Sequence, residues 1–589
     1  MRYWSAMARA GSHSTRSGDL RTRAAAHYFG RPDRSRFGMV HWPSGAIHGS
    51  VVVCPPIGYE SVGAHRSLRR LAEDLCQRGF VVLRFDYDGT GNSVGLPNDP
   101  LRLQAWRDSL RDAVDEICSL HDSLPVLVGL RFGAALAAQC VAEGLACRSL
   151  VLWDPVLDRR RYSRSLKLLA ATGDESSSTT EVSVGGIPFT LETLAEIAAF
   201  KASLEGLNCR GLLIERSEQV IAQTASPDGW DTVALPGTSG LLDTDAELAV
   251  VPDDILAVIQ GWIISHAGEP SAERVAPTLR STCTEPVGER SLVHTAGRVG
   301  QASLFCIETV EAGCAPRAAV LMLNNGVAQA IGPGRSWIEL AQLLALDGYH
   351  VLRLDLSGLG ESAARPGRSE NDPYPVMAGE DIADTVDHVS ARHMERIACL
   401  GLCSGAQLSF DAATRTSAID VIMSINGRFD MPFHDKRTDR QRRAARQTFG
   451  LAAVPLRKTR LLPTIERLPS WVWSLLDKMH VVGLPTHPLR RYRQGKGSTL
   501  LVFGPDELGL RALRGRATQE FDGIINDDRV KLSVIPQLDH SMFNLGARTA
   551  VFEAVREYLE TAMPTSRPCS ADGPLGADSA DGHAGHTMR

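Results

Sequence analysis

Three residues in the second half of this 589-residue chain have the types and the order that nucleophilic catalysis needs. Cys403 sits in Gly401-Leu402-Cys403-Ser404-Gly405, after an apolar run and before small residues that read as a helix. In the serine form of this pattern, Gly-x-Ser-x-Gly, a strained strand-to-helix turn exposes the nucleophile. The glycines are needed because neighbouring backbone crowds the turn. The helix N-terminus behind the sulfur favours a thiolate over a thiol. Taken alone, the pentapeptide fits a buried structural cysteine equally well. Such a nucleophile requires an acid and then a histidine later in the chain, each after a strand. STLLVFGPDELG (498–509) supplies Asp506, and VKLSVIPQLDHSMFN (530–544) supplies His540. His540 would accept the thiol proton, and Asp506 would hold the imidazole in its working tautomer. Glu507 and Asp539 are rival acids, Asp539 the weaker because a residue adjacent to the histidine usually points away from it. The backbone N–H groups of Ser404 and of Val327, in Asn324-Asn325-Gly326-Val327, would form the oxyanion hole.

The elements that must position these groups occur twice. Residues 81–93 (VVLRFDYDGTGNS) match 350–362 (HVLRLDLSGLGES), aligning Arg84, Asp86, Gly89, Gly91 and Ser93 with Arg353, Asp355, Gly358, Gly360 and Ser362. Each copy follows an apolar run and a segment whose apolar residues recur at three and four, the signature of a helix with one buried face. Downstream, LPVLVGLRFGAALAA (124–138) matches RIACLGLCSGAQLSF (396–410), and further apolar runs follow at SLVLWDP and DVIMSIN. Strands alternating with helices at these intervals predict βαβ units and a mostly parallel sheet, twice over. The expected organisation is an N-terminal extension at 1–26, a first α/β domain at 27–266, a linker at 267–290, a second α/β domain at 291–562 and a disordered tail at 563–589.

The first copy lacks the chemistry. Its pentapeptide reads Gly129-Leu130-Arg131-Phe132-Gly133, and a guanidinium cannot attack a carbonyl. No histidine lies between Arg131 and His266, and the loop expected to carry one reads LPGTSGLLD. Arg131 is expected in a structural ion pair with Glu215 or Glu218, or else as an anion site beside a helix N-terminus.

Composition bounds the rest. A net charge of −5 gives no general nucleic-acid signal, and no apolar stretch is long enough to span a bilayer. The twelve cysteines are scattered, without a CxxC pair or a zinc-spaced cluster. They predict buried thiols in a reducing, cytoplasmic setting with no metal and no organic cofactor. Residues 427–496, the core of a cap expected over about 427–497, hold 16 Lys/Arg against five Asp/Glu with aromatics interleaved. The plain reading is a solvated helical face. The functional one is a greasy pocket under a cationic rim, suited to an anionic acyl substrate. An acyl carrier protein, coenzyme A, or an acidic glycan or lipid would each fit as the acyl-bearing partner. The oligomeric state is left open.

With both halves read this way, the chain resembles the α/β-hydrolase superfamily from about residue 27 to 562. HYFGRPDRSRFGMVHWPSG, CPPIGYE, RFDYDGTGNS and GLRFGA are similar to serine-aminopeptidase-like (S33-type) hydrolases of exosortase and exopolysaccharide systems. Arg at the elbow also looks like a feature of some of that group, which implies a non-catalytic variant. NNGVAQAIGPGRSW, RLDLSGLGES, GLCSGA and DHSMF resemble a companion group with Cys at the elbow. Dienelactone hydrolases share a Cys–Asp–His triad but are shorter. The resemblance implies two tandem domains, the first degenerate and the second a hydrolase of esters or thioesters working through an acyl-enzyme. Acyl transfer through the same intermediate, and a non-catalytic scaffold, are the alternatives.

Overall fold

In a computed structural model of the chain, the residues described are 23–171, 181–218, 226–270, 276–428 and 497–564, without 317, 376, 393 and 517, together with Leu489 and Tyr492. The expected basic cap lies almost wholly outside them, as do most of the N-terminal extension and the tail.

Among the described residues the first half forms an eight-stranded sheet in the order β1-β2-β4-β3-β5-β6-β9-β10. Its strands are β1 (Arg23–Phe29), β2 (Arg36–Trp42), β3 (Gly49–Cys54), β4 (Phe80–Phe85), β5 (Val126–Leu130), β6 (Ser149–Trp153), β9 (Arg210–Arg216) and β10 (Asp231–Leu235). A separate hairpin pairs β7 (Glu181–Val184) with β8 (Ile187–Thr190). From β4 to β10 every pairing is parallel, as Val/Leu/Ile-rich runs buried on both faces require. The second half repeats the plan in nine strands, β11-β12-β13-β15-β14-β16-β17-β18-β19. These are β11 (Thr282–Val287), β12 (Arg290–Val299), β13 (Leu304–Glu311), β14 (Ala318–Met322), β15 (His350–Leu354), β16 (Arg396–Leu402), β17 (Val421–Ile425), β18 (Ser498–Phe503) and β19 (Val530–Val534). Helices cover both faces of each sheet, giving the two-domain α/β architecture expected.

Two expected boundaries move. Residues 23–26 open β1 instead of belonging to the extension, and the last third of the 267–290 linker is strand β11, paired antiparallel with β12. Polar, turn-rich composition concealed β11 because it is an edge strand with alternate residues exposed. Ten cysteines among the described residues are free thiols, scattered as expected. No described helix is long and apolar enough to cross a membrane.

The halves meet through their antiparallel edges in a pseudo-twofold contact. Tyr28, Phe37, Met39 and Val94 form one apolar cluster with Cys283, Ala296, Phe305 and Ile307. The equivalent rings of Phe37 and Phe305 lie 6.3 Å apart. The repeated Arg-x-Asp…Gly-x-Gly…Ser motif builds this contact. Within each copy the Asp carboxylate accepts a turn N–H, Asn92 to Asp86 at 2.8 Å and Glu361 to Asp355 at 2.9 Å. A Cβ on Gly91 or Gly360 would collide with that carboxylate. Between copies, Arg84 donates to Glu361 at 2.7 and 2.9 Å, while its counterpart Arg353 donates to Asn92, the counterpart of Glu361, at 2.8 Å. Burial disfavours the Glu361 charge, but Arg84 and His65 still hold its carboxyl well below the usual range.

Candidate active site

Cys403 stands between β16 and the helix Ser404–Ala412 with φ 53° and ψ −108°, a left-handed conformation rare for a residue with a Cβ. The flanking glycines explain how the turn is tolerated. A Cβ on Gly401 would run into the backbone of Gly405, and one on Gly405 would lie 2.5 Å from the Asn324 carbonyl. The Cys403 N–H donates to the Ile425 carbonyl at 3.0 Å, fixing the elbow to β17.

His540 lies beside the sulfur. A hydrogen bond with Cys403, then one with Glu507, pushes its imidazolium up to about 10. His540 Nδ1 is 3.0 Å from Glu507 Oε2.

The carboxylate that meets His540 in the structure is Glu507 and not the expected Asp506. The Asp506 side chain is 88% exposed and accepts from Arg511 at 2.6 Å, whereas that of Glu507 is 10% exposed. A one-turn loop decides this: Glu507 N–H bonds to the Gly504 carbonyl, turning the fourth residue after β18 inward and the third outward. Asp539, the other rival, accepts the N–H groups of Ser541 and Asn544 at 2.9 and 2.8 Å and so builds the turn that carries His540.

Two further residues at the site gave no motif in the sequence. Asn426, fully buried at the end of β17, donates to the carbonyls of Asp539 (2.9 Å) and His540 (3.2 Å) and accepts from Gly504 N–H at 3.0 Å. It ties the acid loop to the histidine loop. The Tyr374 hydroxyl hydrogen-bonds Cys403; burial and the neighbouring Cys403 sulfur raise its pKa well above the usual tyrosine range, so it remains a proton donor. Asn426 was hidden because it acts through backbone groups 113 and 114 residues away. Tyr374 was hidden because it comes from an irregular loop.

The structure sets Ser404 against the loop that carries Val327. Ser404 Oγ accepts the Gly326 N–H at 2.8 Å, which takes that amide out of use and leaves Val327 N–H as the next donor along the loop. Ser404 N–H opens its helix, where no intrahelical acceptor exists. Asn324 anchors the loop from below, donating to Asp355 at 2.9 Å and accepting from Leu356 N–H at 2.8 Å.

In the first half Arg131 takes the same turn, at φ 54° and ψ −119°. Its guanidinium donates to Glu60 at 3.0 Å and Asp154 at 3.1 Å and lies 5.7 Å from the Tyr162 ring centre. Arg216 also binds Asp154. The ion pair is the expected kind with other partners than Glu215 or Glu218. Burial works against its charge, but Glu60 and Asp154 keep Arg131 firmly protonated. With those carboxylates around it, Arg131 offers no open anion site.

Residues 48–192 match the family described as serine aminopeptidase, S33, and residues 321–554 match the alpha/beta hydrolase family. Solved structures similar to part of the chain include Est1E from Butyrivibrio proteoclasticus, at 14% identity, covering 41% of this chain and 98% of that one with a TM-score of 0.31. The dienelactone hydrolase of Anabaena variabilis ATCC 29413 is 16% identical, covering 48% and 99%, TM-score 0.28. A proline iminopeptidase of Mycobacterium smegmatis is also 16% identical, covering 41% and 98%, TM-score 0.29. No curated protein matches the chain.

Proposed function

The chain is a tandem of two α/β-hydrolase domains and an α/β-fold hydrolase, and from that premise we propose that its second half cleaves ester or thioester bonds through Cys403, His540 and Glu507. The observation that carries this reading is the unbroken line from the elbow sulfur through His540 to a buried carboxylate. The Cys403 thiolate adds to the substrate carbonyl, and the oxyanion receives the Ser404 and Val327 N–H groups. As the tetrahedral centre collapses, His540 gives its proton to the departing alcohol or thiol, leaving the acyl group on sulfur as a thioester. Neutral His540 then takes a proton from water as the hydroxyl adds, and the thiolate departs as the acid is released. Glu507 holds Nδ1–H throughout. Tyr374 supports the negative charge on sulfur.

Cysteine favours thioester exchange, which is close to thermoneutral, over peptide cleavage. The excess of cationic residues between 427 and 496 favours an anionic or carrier-bound acyl substrate, an acyl carrier protein among them. A free catalytic thiol suits a reducing compartment such as the cytoplasm. Intact-mass spectrometry after brief exposure to acyl-thioesters and activated esters tests the reading. An adduct mapping to Cys403 and absent from Cys403→Ala supports it. Decay of the adduct with added amine rather than water would reassign the protein as an acyltransferase. No adduct and no turnover across short, long and aromatic acyl groups would favour a scaffold.

A further inference from the structure

We infer that the non-catalytic half is built into the catalytic site, and that its Glu247 is a positioning residue for the oxyanion loop of the second half. The inference rests on the reading of Cys403 as the nucleophile. Strands β10 and β19 are equivalent, the last of each sheet before the closing helix. After β19 the chain carries His540; after β10 it carries no histidine and continues as a longer loop, LPGTSGLLDTDAELAV. That loop crosses to the other half. Glu247 Oε1 lies against Gly326, so close that a Cβ built there would be 2.5 Å away. Asn371 of the second half donates towards the carbonyls of Ala246 and Glu247, both at 3.4 Å.

Gly326 is thereby held from two sides, by Ser404 Oγ on its N–H and by Glu247 on its Cα. Its φ is +54°, in a region where glycine has several conformations of similar energy. Turning the Gly326–Val327 peptide would aim the Val327 N–H away from the oxyanion. Tyr374, the hydroxyl partner of Cys403, also feels the Glu247 charge, with Arg428 acting in the opposite sense.

A second brace runs to the histidine loop. Ser183 Oγ, on β7, donates to the Phe543 carbonyl at 2.6 Å, and the Phe543 ring packs edge-on against Tyr59, centres 6.3 Å apart. Arg548 reaches the carbonyl of Gly186 in the same hairpin. The oxyanion loop and the histidine loop are thus both backed by the first half.

The test uses the full-length chain with Glu247→Ala, Glu247→Gln and Ser183→Ala. Hydrogen exchange of peptides spanning 324–330 is followed beside single-turnover acylation of Cys403 by a p-nitrophenyl ester. Glu247→Ala should speed exchange in 324–330 and lower kcat, each on the order of tenfold, with KM within about twofold. Glu247→Gln keeps the shape and should retain most of the rate. Ser183→Ala should raise exchange only around 540–544. Unchanged exchange and kcat in Glu247→Ala would overturn the inference. So would exchange that rises throughout both halves together with a fall in Tm, since that is global destabilisation. If the wild type never acylates Cys403, the catalytic reading fails, and exchange at 324–330 still decides whether Glu247 holds the loop.

Discussion

Arg131 and Cys403 occupy equivalent turns, with φ/ψ of 54°/−119° and 53°/−108°, each anchored by its N–H to the end of the next strand at 3.0 Å. The backbone strain is the same, and the chemistry around it is opposite. At Arg131 the pocket is filled by a guanidinium and closed by Glu60 and Asp154. At Cys403 the equivalent of Asp154 is Asn426, which shares its left-handed φ, 46° against 47°. Asp154 neutralises arginines, whereas Asn426 uses its amide to gather the loops of Glu507 and His540. The comparison teaches that the elbow conformation belongs to the sheet packing and forms with either arginine or cysteine at its apex. Reactivity is set by what the later loops bring to it.

The sharpest way to break this comparison is at the two elbow residues. Cys403→Ala should abolish the acyl adduct and cost at least about 10³-fold in kcat/KM, while Arg131→Ala leaves turnover unchanged; steady-state kinetics on an activated ester measures both. Next is the acid. Glu507→Gln should lower kcat on the order of 10²- to 10⁴-fold, and Asp506→Asn should stay within about twofold. The same Glu507→Gln should move the alkaline limb of the pH–rate profile to lower pH, because one of the two groups holding the His540 imidazolium is gone.

Arg131→Ala has its effect elsewhere. It strands the buried Glu60 carboxylate, removes one of the two arginines on Asp154, and should destabilise the chain by about 1–3 kcal/mol, read from denaturant or thermal unfolding. The smallest effect concerns His540 itself. Its pKa in the folded chain, about 10, lies above the unfolded value of about 6.5. Its contribution to stability is therefore complete below about pH 6.5 and is lost as pH rises through about 10. The Tm difference between wild type and His540→Ala should be small, because the side chain is 43% exposed. That difference should close towards pH 10.

Much of this molecule was legible from residue order. Apolar runs, helical periodicity and the doubled Arg-x-Asp…Gly-x-Gly…Ser motif determined two parallel α/β sheets, since strand burial and turn chemistry are local consequences of side-chain type. Cys403 and His540 were readable because an elbow needs glycines at fixed spacing and a histidine loop follows a strand. The tertiary structure decided the rest. It chose Glu507 over Asp506, because which face of a four-residue turn looks inward depends on the loop it packs against. It made the repeated motif an interface, with Arg84 on Glu361 and Arg353 on Asn92, because a side chain's partner across 261 or more residues leaves no mark on local pattern. It also brought Asn426, Tyr374 and Glu247 to the site, three residues whose work is done through space, on groups far away in the chain.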